Sequence, residues 1–184
     1  MTGTDAAGAA TGSNAVTGSA LRLRTLAADD WLIWRQLRLA ALSEAPYAFS
    51  SRLADWQGDG DREERWRARL AIPGSYNAIA LLDGEPVGMA SGVPGDDGVA
   101  ELISMWVAPA ARGRGVGDAL IDAVAQWARR RGSRTLRLAV RSDNAAARVL
   151  YERNGFRYTG ELGDLMPDAV RHELVMAKPL TSQS

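Results

Sequence analysis

Residues 112–117 form a glycine- and arginine-rich turn whose composition suits the binding of an anion. The turn lies between an apolar segment that ends at Val107 and an amphipathic segment that begins at Val116. If these are a strand and a helix, the first N–H groups of the helix lack intrahelical partners and carry partial positive charge. Glycine lets this backbone approach a ligand closely, and Arg112 and Arg114 add fixed charge. The pattern therefore predicts a site for a phosphate-bearing ligand, such as a pyrophosphate.

Three phosphate-binding motifs can be compared with this turn. The P-loop pattern G-x-x-x-x-G-K-[ST] fails because the lysine and the hydroxyl are missing. The dinucleotide pattern G-x-G-x-x-G fails because, counted from Gly113, its sixth position is Asp118, and no acidic residue ends the next strand. The pattern R-x-x-G-x-G remains, with Arg112, Gly115 and Gly117. Taken alone, this match leaves an ordinary glycine-rich surface turn as an equal alternative.

A second motif follows the turn after one intervening strand. It is written Asn144-x-x-Ala147-x-x-Leu150-Tyr151-x-x-x-Gly155-Phe156. Together the two motifs resemble the acyl-CoA-binding signatures of the GNAT superfamily of N-acetyltransferases, and the resemblance extends over residues 21–180. It implies the GNAT fold and acetyl-CoA as the cofactor.

The resemblance also implies which residues contact the cofactor. The pyrophosphate is expected on backbone amides of the turn and the start of the helix. The pantetheine arm is expected beside the end of the preceding strand, where a backbone N–H would polarise the thioester carbonyl. The predicted contacts are Met105, Trp106, Val107, Arg112, Gly113, Arg114, Gly115, Val116, Gly117, Asp118, Ala119, Asn144, Ala147 and Tyr151.

Two residues are predicted to move protons. The resemblance implies that Tyr151 protonates the departing thiolate; the alternative is a tyrosine that only packs in the core. Glu101 lies eleven residues before Arg112, a spacing that resembles that of the catalytic glutamate in histone-type GNAT enzymes. It is also acidic within an apolar strand, where desolvation would suit a general base. A solvent-facing strand glutamate, with a bound water as the base, is the alternative.

The acceptor side has weaker signals. We predict Tyr47, Phe49 and Ser104 as substrate contacts, with Trp56 and the loop at residues 162–171 as further candidates. Enzymes that acetylate ribosomal protein N-termini are similar here but carry a glutamate where this chain has Ala139, which argues against that substrate. His172 is either a second acid or base, or a strand residue without a chemical role.

Hydrophobic periodicity predicts the elements that position these residues. Their order is β-α-α-β-β-β-α-β-α-β-β, an α/β (α+β) arrangement with a mixed, mostly antiparallel sheet of about six or seven strands and about four helices. The second helix is predicted over residues 61–70 with Asp61 as its cap, and the last two strands over residues 156–160 and 170–177. Residues 1–20 are predicted to be a disordered tail, residues 21–180 one domain, and residues 181–184 a flexible end.

Composition excludes several other classes of function. The 184 residues carry a formal net charge of zero, so neither nucleic acid nor an anionic membrane is favoured as a partner. The chain has no cysteine and one histidine, so we predict no metal site. A reducing, cytoplasmic location is consistent with the missing cysteines.

We therefore predict an acetyl-CoA-dependent N-acetyltransferase in which a primary amine, on a small molecule or a peptide, attacks the thioester directly. The alternatives are a non-catalytic acyl-CoA sensor of the same fold and a nucleotide-binding protein that shares only the turn. The sequence leaves open the identity of the amine, the acyl-chain preference and whether the protein is a monomer or a homodimer.

Overall fold

The computed structural model describes residues 20–46, 49, 51–166 and 170–180. The predicted disordered tail, apart from Ala20, and the predicted flexible end therefore lie outside the described residues. The element order is the predicted one. The elements are β1 Leu21–Thr25, α1 Trp31–Glu44, α2 Glu63–Leu70, β2 Tyr76–Leu82, β3 Glu85–Pro94, β4 Val99–Val107, α3 Val116–Arg130, β5 Thr135–Arg141, α4 Ala145–Arg153, β6 Arg157–Leu165 and β7 His172–Pro179.

Seven strands in the described part of the chain form one sheet, in the order β1-β2-β3-β4-β5-β7-β6. β4 and β5 run parallel, and the other neighbouring strands are antiparallel. The predicted mixed, mostly antiparallel sheet with four helices is thus confirmed for the described residues. The parallel pair lies at the centre of the sheet, and α3 provides the crossover that such a pair requires.

Helices cover both faces of this sheet. On one face, α3 buries the apolar stripe that includes Val116, Leu120 and Val124 against the sheet, together with Tyr151 of α4 and Phe156. On the other face, α1 and α2 bury a smaller cluster. Its members are Leu26, Trp34, Leu37, Ala41, Trp66, Leu70, Ile79, Met89 and Trp106. The two cores fix the helix termini that border the site described below.

The second helix begins later than predicted. It starts at Glu63, and the Asp61 side chain does not cap it. The carboxylate instead accepts hydrogen bonds from the Arg35 guanidinium and, at 2.8 Å, from Trp66 Nε1. These bonds hold the pKa of Asp61 well below its usual range, the Arg35 bond contributing most. Asp61 therefore ties α2 to α1 rather than starting α2.

The penultimate strand is longer than predicted. β6 covers Arg157–Leu165, so the first residues of the predicted loop at 162–171 belong to a strand. The missed part lies at the sheet edge, where nearly every residue is exposed and no apolar alternation marks the strand. Its pairing with β7 also shifts register twice, which breaks the two-residue period.

Within the described residues, the structure was also compared with the requirements of a membrane-spanning helix and of a metal site. None of the described helices combines the length and the apolar character needed to cross a membrane. The His, Asp and Glu side chains of the described residues form no group of three or more that could hold a metal ion.

Candidate functional site

The centre of the sheet opens where β4 and β5 separate. β4 pairs with β5 only from Val99 to Glu101, although its pairing with β3 continues to Val107. Residues 102–107 of β4 therefore have no β5 partner in the described pairing. Two cavities, of about 280 and 560 Å³, flank this opening, and Met105 and Tyr151 line both. A ligand in the first cavity can thus meet a ligand in the second at these two residues.

A bulge in β4 creates the junction between the cavities. The register with β3 shifts between Met89 and Ser91, opposite Ser104, whose φ is +54°. A left-handed conformation is uncommon for a residue other than glycine and is found where the fold constrains it. The Ser104 hydroxyl accepts a hydrogen bond of 3.1 Å from Arg69 Nη2. The bulge therefore changes the direction of β4 and links it to α2.

The first cavity is bordered by the glycine-rich turn. Its wall comprises Ala45, Met105, Trp106, Val107, Arg112, Gly113, Gly115, Val116, Gly117, Asn144, Ala146, Ala147, Leu150, Tyr151 and Arg153. Gly113 and Gly115 have φ values of +73° and +77°, the left-handed region that favours glycine. The first intrahelical bond of α3 runs from Ala119 N–H to the Gly115 carbonyl, at 3.0 Å. The amides of residues 116–118 are therefore free of intrahelical partners, whereas the predicted contact at the Ala119 amide already has one.

The start of α3 is held against α4 by packing and by charge. A Cβ on Gly117 would lie 3.0 Å from a methyl group of Leu150, so glycine permits the close approach of the two helices. Asp118 accepts hydrogen bonds from Arg153, at 2.6 and 2.8 Å, and from Asn154, at 2.7 Å. The Arg153 bond is the main reason why the pKa of Asp118 is lowered. Asp118, Arg114 and Ala119, all predicted contacts, do not belong to the cavity wall.

Arg112 connects the turn to α1 instead of extending freely. Its Nε donates to the Val107 carbonyl at 3.0 Å, and its Nη2 forms an ion pair with Glu44 at 2.8 Å. Glu44 also accepts from Trp106 Nε1 at 3.0 Å, and these bonds lower the pKa of Glu44, the Trp106 bond most strongly. The end of α1, the end of β4 and the turn are therefore joined at one wall of the first cavity.

The second sequence motif supplies the opposite wall. Asn144 caps α4, because its side-chain oxygen accepts from Ala147 N–H at 3.2 Å. Tyr151 lies further along α4 and is buried. Its ring meets Phe156 edge to face, with centroids 5.8 Å apart. Burial raises the pKa of Tyr151. The phenol therefore keeps its proton at neutral pH and can act as an acid, not as a base.

The second cavity lies between the α1/α2 layer and strands β4 to β7. Its wall comprises Trp34, Arg38, Phe49, Ser51, Trp56, Arg69, Glu101, Leu102, Ile103, Ser104, Met105, Arg137, Leu138, Ala139, Tyr151, Gly163, Asp164, Glu173 and Val175. The predicted contacts Phe49 and Ser104 are among these residues, as are Trp56 and Ala139. Tyr47 lies outside the described residues. His172 is not in the wall, and its Nδ1 lies 2.9 Å from the Gly163 carbonyl oxygen.

Glu101 reaches the second cavity but is exposed there. The predicted desolvation of this carboxylate is therefore wrong. Glu101 lies in register with Val93 and Arg137, on the strand face opposite the buried neighbours Ala100 and Leu102. Side chains alternate between the two faces of β4, so Glu101 points to the face on which the opening lies. At Glu101 itself, β4 is still paired with β5.

Sequence reasoning missed a second carboxylate in this cavity, Glu173. It lies on β7 in register with Arg141 and is half-buried. Partial burial, and secondly the nearby Asp164, raise the pKa of Glu173, while Arg141 opposes the shift. A raised carboxyl pKa is what a general base working near neutral pH requires. The signal available in the sequence was the alternation of β7, which puts Glu173 and Val175 on one face.

Two cavities meet at one buried tyrosine, and one of them lies at the start of a helix whose first amides have no intrahelical partner. This arrangement suits a group-transfer reaction, which brings two bound molecules together. The comparison with known families gives the same class. The chain belongs to the acetyltransferase (GNAT) family, whose model matches residues 34–156. The predicted family is therefore confirmed.

Similar proteins carry acetyltransferase names. A mycothiol acetyltransferase of Geodermatophilus obscurus is 46% identical over 66 residues, which are 34% of this chain and 21% of that protein. The chain spans about a fifth to a quarter of the length of such curated relatives. A GCN5-related N-acetyltransferase from Kribbella flavida has a similar structure, with a TM-score of 0.70 and 29% identity over 88% of this chain and 98% of that one. The protein yncA from Salmonella typhimurium, solved with its cofactor acetyl-CoA, has a TM-score of 0.69 and 22% identity over 90% and 97% of the two chains.

Proposed function

We propose that this protein transfers an acetyl group from acetyl-CoA to a primary amine, on a small molecule or a peptide, by direct attack of the amine on the thioester. The observation that carries the proposal is the meeting of two cavities at Met105 and Tyr151. A group-transfer reaction needs this arrangement, because two bound partners must come within bonding distance of each other.

The first cavity fits an acyl-CoA by its hydrogen-bonding groups. The amides of residues 116–118 suit a pyrophosphate at a helix start, as does the left-handed backbone at Gly113 and Gly115. After Glu101, β4 has no β5 partner on one of its edges. This edge suits an extended amide-bearing arm, which can pair with it as an added strand. The side-chain N–H₂ of Asn144 remains available, since its oxygen is used in the cap.

Acetyl-CoA, when bound, supplies the acetyl group as a thioester. A backbone N–H of residues 105–107 polarises the thioester carbonyl and stabilises the charge that develops on its oxygen. Tyr151 donates its proton to the departing sulfur, because it lines both cavities and stays protonated at neutral pH.

A base must remove a proton from the acceptor, since an alkylammonium has a pKa of about 10.4 and cannot attack. Glu101 and Glu173 both line the acceptor cavity. We favour Glu173, because it is half-buried and its pKa is raised, whereas Glu101 is exposed. Glu101 then remains available to attract the ammonium group to the cavity.

A screen for CoA release tests this function. The purified protein is incubated with acetyl-CoA and representatives of each amine class, and free thiol is measured alongside the mass of the acetylated product. We expect release that depends on the amine for at least one class. Binding of acetyl-CoA by calorimetry without release for any class would instead support a non-catalytic acyl-CoA sensor.

Substitution of Gly115 by alanine is expected to weaken CoA binding. Its φ of +77° costs an L-residue about 1–2 kcal/mol, so the turn must strain or move the amides that follow it. Gly132→Ala is the matched control, because Gly132 has a φ of +79° but follows the far end of α3. Urea unfolding should show similar losses for both variants, and calorimetry with CoA should show weaker binding for Gly115→Ala alone. Equal CoA affinity in the two variants would contradict the placement of CoA at this turn.

A further inference from the structure

The wall of the second cavity that α1 and α2 provide carries two arginines without a carboxylate partner. Arg38 is 8% exposed, and its guanidinium stacks over the Phe49 ring at 4.5 Å. Among the described residues, Arg69 donates to neutral oxygens, those of Asn77, Ser91 and Ser104, at 3.1–3.2 Å. No ion pair of either arginine is found among the described residues. A buried arginine such as Arg38 normally pairs with an acid, and Arg69 is half-buried, so the missing anion calls for an explanation.

Two buried hydrogen-bond donors in the same wall also lack acceptors. Within the described residues, Arg38 Nη1 and Trp34 Nε1 have no hydrogen-bond partner. Trp34 and Arg38 are four residues apart on α1, so they lie on the same face of the helix, and both line the second cavity. An unpaired buried donor destabilises the folded protein, so this end of the cavity wall has hydrogen-bonding capacity that the described residues do not satisfy.

Both arginines remain charged despite burial. Burial lowers the pKa of each to about 10, helped for Arg38 by the charge of Arg69, so each carries a full charge at neutral pH. The opposite wall is acidic, with Glu101 on β4, Asp164 on β6 and Glu173 on β7. Arg137, the arginine on the sheet side of the wall, already has a partner, since it pairs with Glu161 at 2.7 Å. The second cavity is thus basic on its helical side and acidic on its sheet side.

We propose that the acceptor amine carries an oxyanion group, a carboxylate or a phosphate, and that Arg38 and Arg69 bind it. This inference rests on the proposed acetyl transfer to an amine. The oxyanion supplies the anionic partner that Arg38 and Arg69 lack among the described residues, and the planar guanidinium forks match its geometry. The amine of the same molecule then faces the acidic wall beside Tyr151. The acceptor is therefore zwitterionic at neutral pH, as an amino acid or an aminoalkyl phosphate is.

Matched pairs of acceptors test this proposal in the wild-type protein. Amino acids are compared with their carboxamides, and phosphoethanolamine with ethanolamine, by kcat/KM from CoA release. We expect the anionic member to be preferred by about ten- to a hundredfold, the effect of hydrogen bonds to a charged group. The pair with the larger ratio identifies the oxyanion. Equal kcat/KM within every pair overturns the proposal while leaving the acetyl transfer established.

Arg38→Met assigns the preference to this wall. The variant should raise KM for the anionic acceptor toward that of its neutral partner. Arg62→Met is the matched control. Arg62 is an exposed arginine directly before α2, the helix that carries Arg69. Arg69→Met provides a second variant should Arg38→Met fold poorly. A preference that survives both variants overturns the assignment.

A binding measurement separates this proposal from the proposed function. The melting temperature is measured against rising acetate or inorganic phosphate, with chloride as the ionic-strength control. We expect an anion-specific rise in the wild-type protein and in Arg62→Met. In Arg38→Met we expect none with acetate and a smaller one with phosphate, which can still bind at the glycine-rich turn of the first cavity. This readout needs no turnover, so it stands even if no amine is acetylated; absence of the rise in the wild-type protein counts against the site.

Discussion

Replacing Tyr151 with phenylalanine is expected to lower kcat by about 10²- to 10⁴-fold, the usual contribution of a positioned general acid. Tyr151 is the titratable residue of α4 that lines both cavities. Burial raises its pKa, so the proton is present at every pH near neutrality and can be given to the departing sulfur. Without it, the thiolate must leave unprotonated.

The variant should keep its fold and its affinity for CoA. Phenylalanine retains the ring that meets Phe156 edge to face at 5.8 Å, and only the hydroxyl is lost. Thermal unfolding and calorimetry with CoA check these two points, and steady-state CoA release gives kcat. Tyr158→Phe is the matched control, since Tyr158 is 50% exposed on β6 and lines neither cavity. Wild-type kcat in Tyr151→Phe would exclude proton donation by this residue.

The cofactor side of the site was predictable because its parts are close together in the sequence. The end of β4, the glycine turn, α3 and the Asn144 cap lie within about fifty residues, and each has a local signature such as period, glycine spacing or a capping residue. The predicted end of this strand at Val107 is the one observed. What local signals could not show is that Arg112 is held by Glu44, 68 residues away.

The acceptor side was less predictable because tertiary contacts assemble it. Arg38 follows the spacing of the apolar residues of α1 in the sequence, but only the packing of α1 and α2 on the sheet brings it into one cavity wall with Arg69. Glu173 depends on the pairing of β7 with β5 and on Asp164 from an edge strand that lacks alternation. Glu101, in contrast, appeared buried because its neighbours are apolar, whereas strand alternation turns it to the solvent.

Replacing Glu173 with glutamine is expected to lower kcat/KM at neutral pH by about 10²- to 10⁴-fold if this carboxylate is the general base. Its base form exists only above its own pKa, which partial burial and Asp164 raise. The wild-type acidic limb of kcat/KM should therefore lie above the pH range of an ordinary glutamate. The Gln variant should lose this limb and gain activity with pH, because the fraction of free amine grows tenfold per unit until the amine's own pKa of about 10.4.

Neighbouring charges offer the controls for this assignment. Asp164→Asn removes a like charge that raises the pKa of Glu173, so the acidic limb should move to lower pH. Glu101→Gln removes the other carboxylate of this wall; we expect a rise in KM for the acceptor with the acidic limb retained. Arg141, which opposes the shift in the pKa of Glu173, is paired with Asp143 at 2.9 Å and is left unchanged in both variants.

The two glutamine variants together decide which group takes the proton. If Glu101→Gln loses the acidic limb of kcat/KM while Glu173→Gln keeps the wild-type pH profile, the general base is Glu101, the exposed strand residue that the sequence suggested. Profiles that keep the limb in both variants would mean that a water removes the proton, with the carboxylates acting only on binding. The expected outcome is the remaining one, because only Glu173 combines a place in the cavity wall with a raised carboxyl pKa among the described residues.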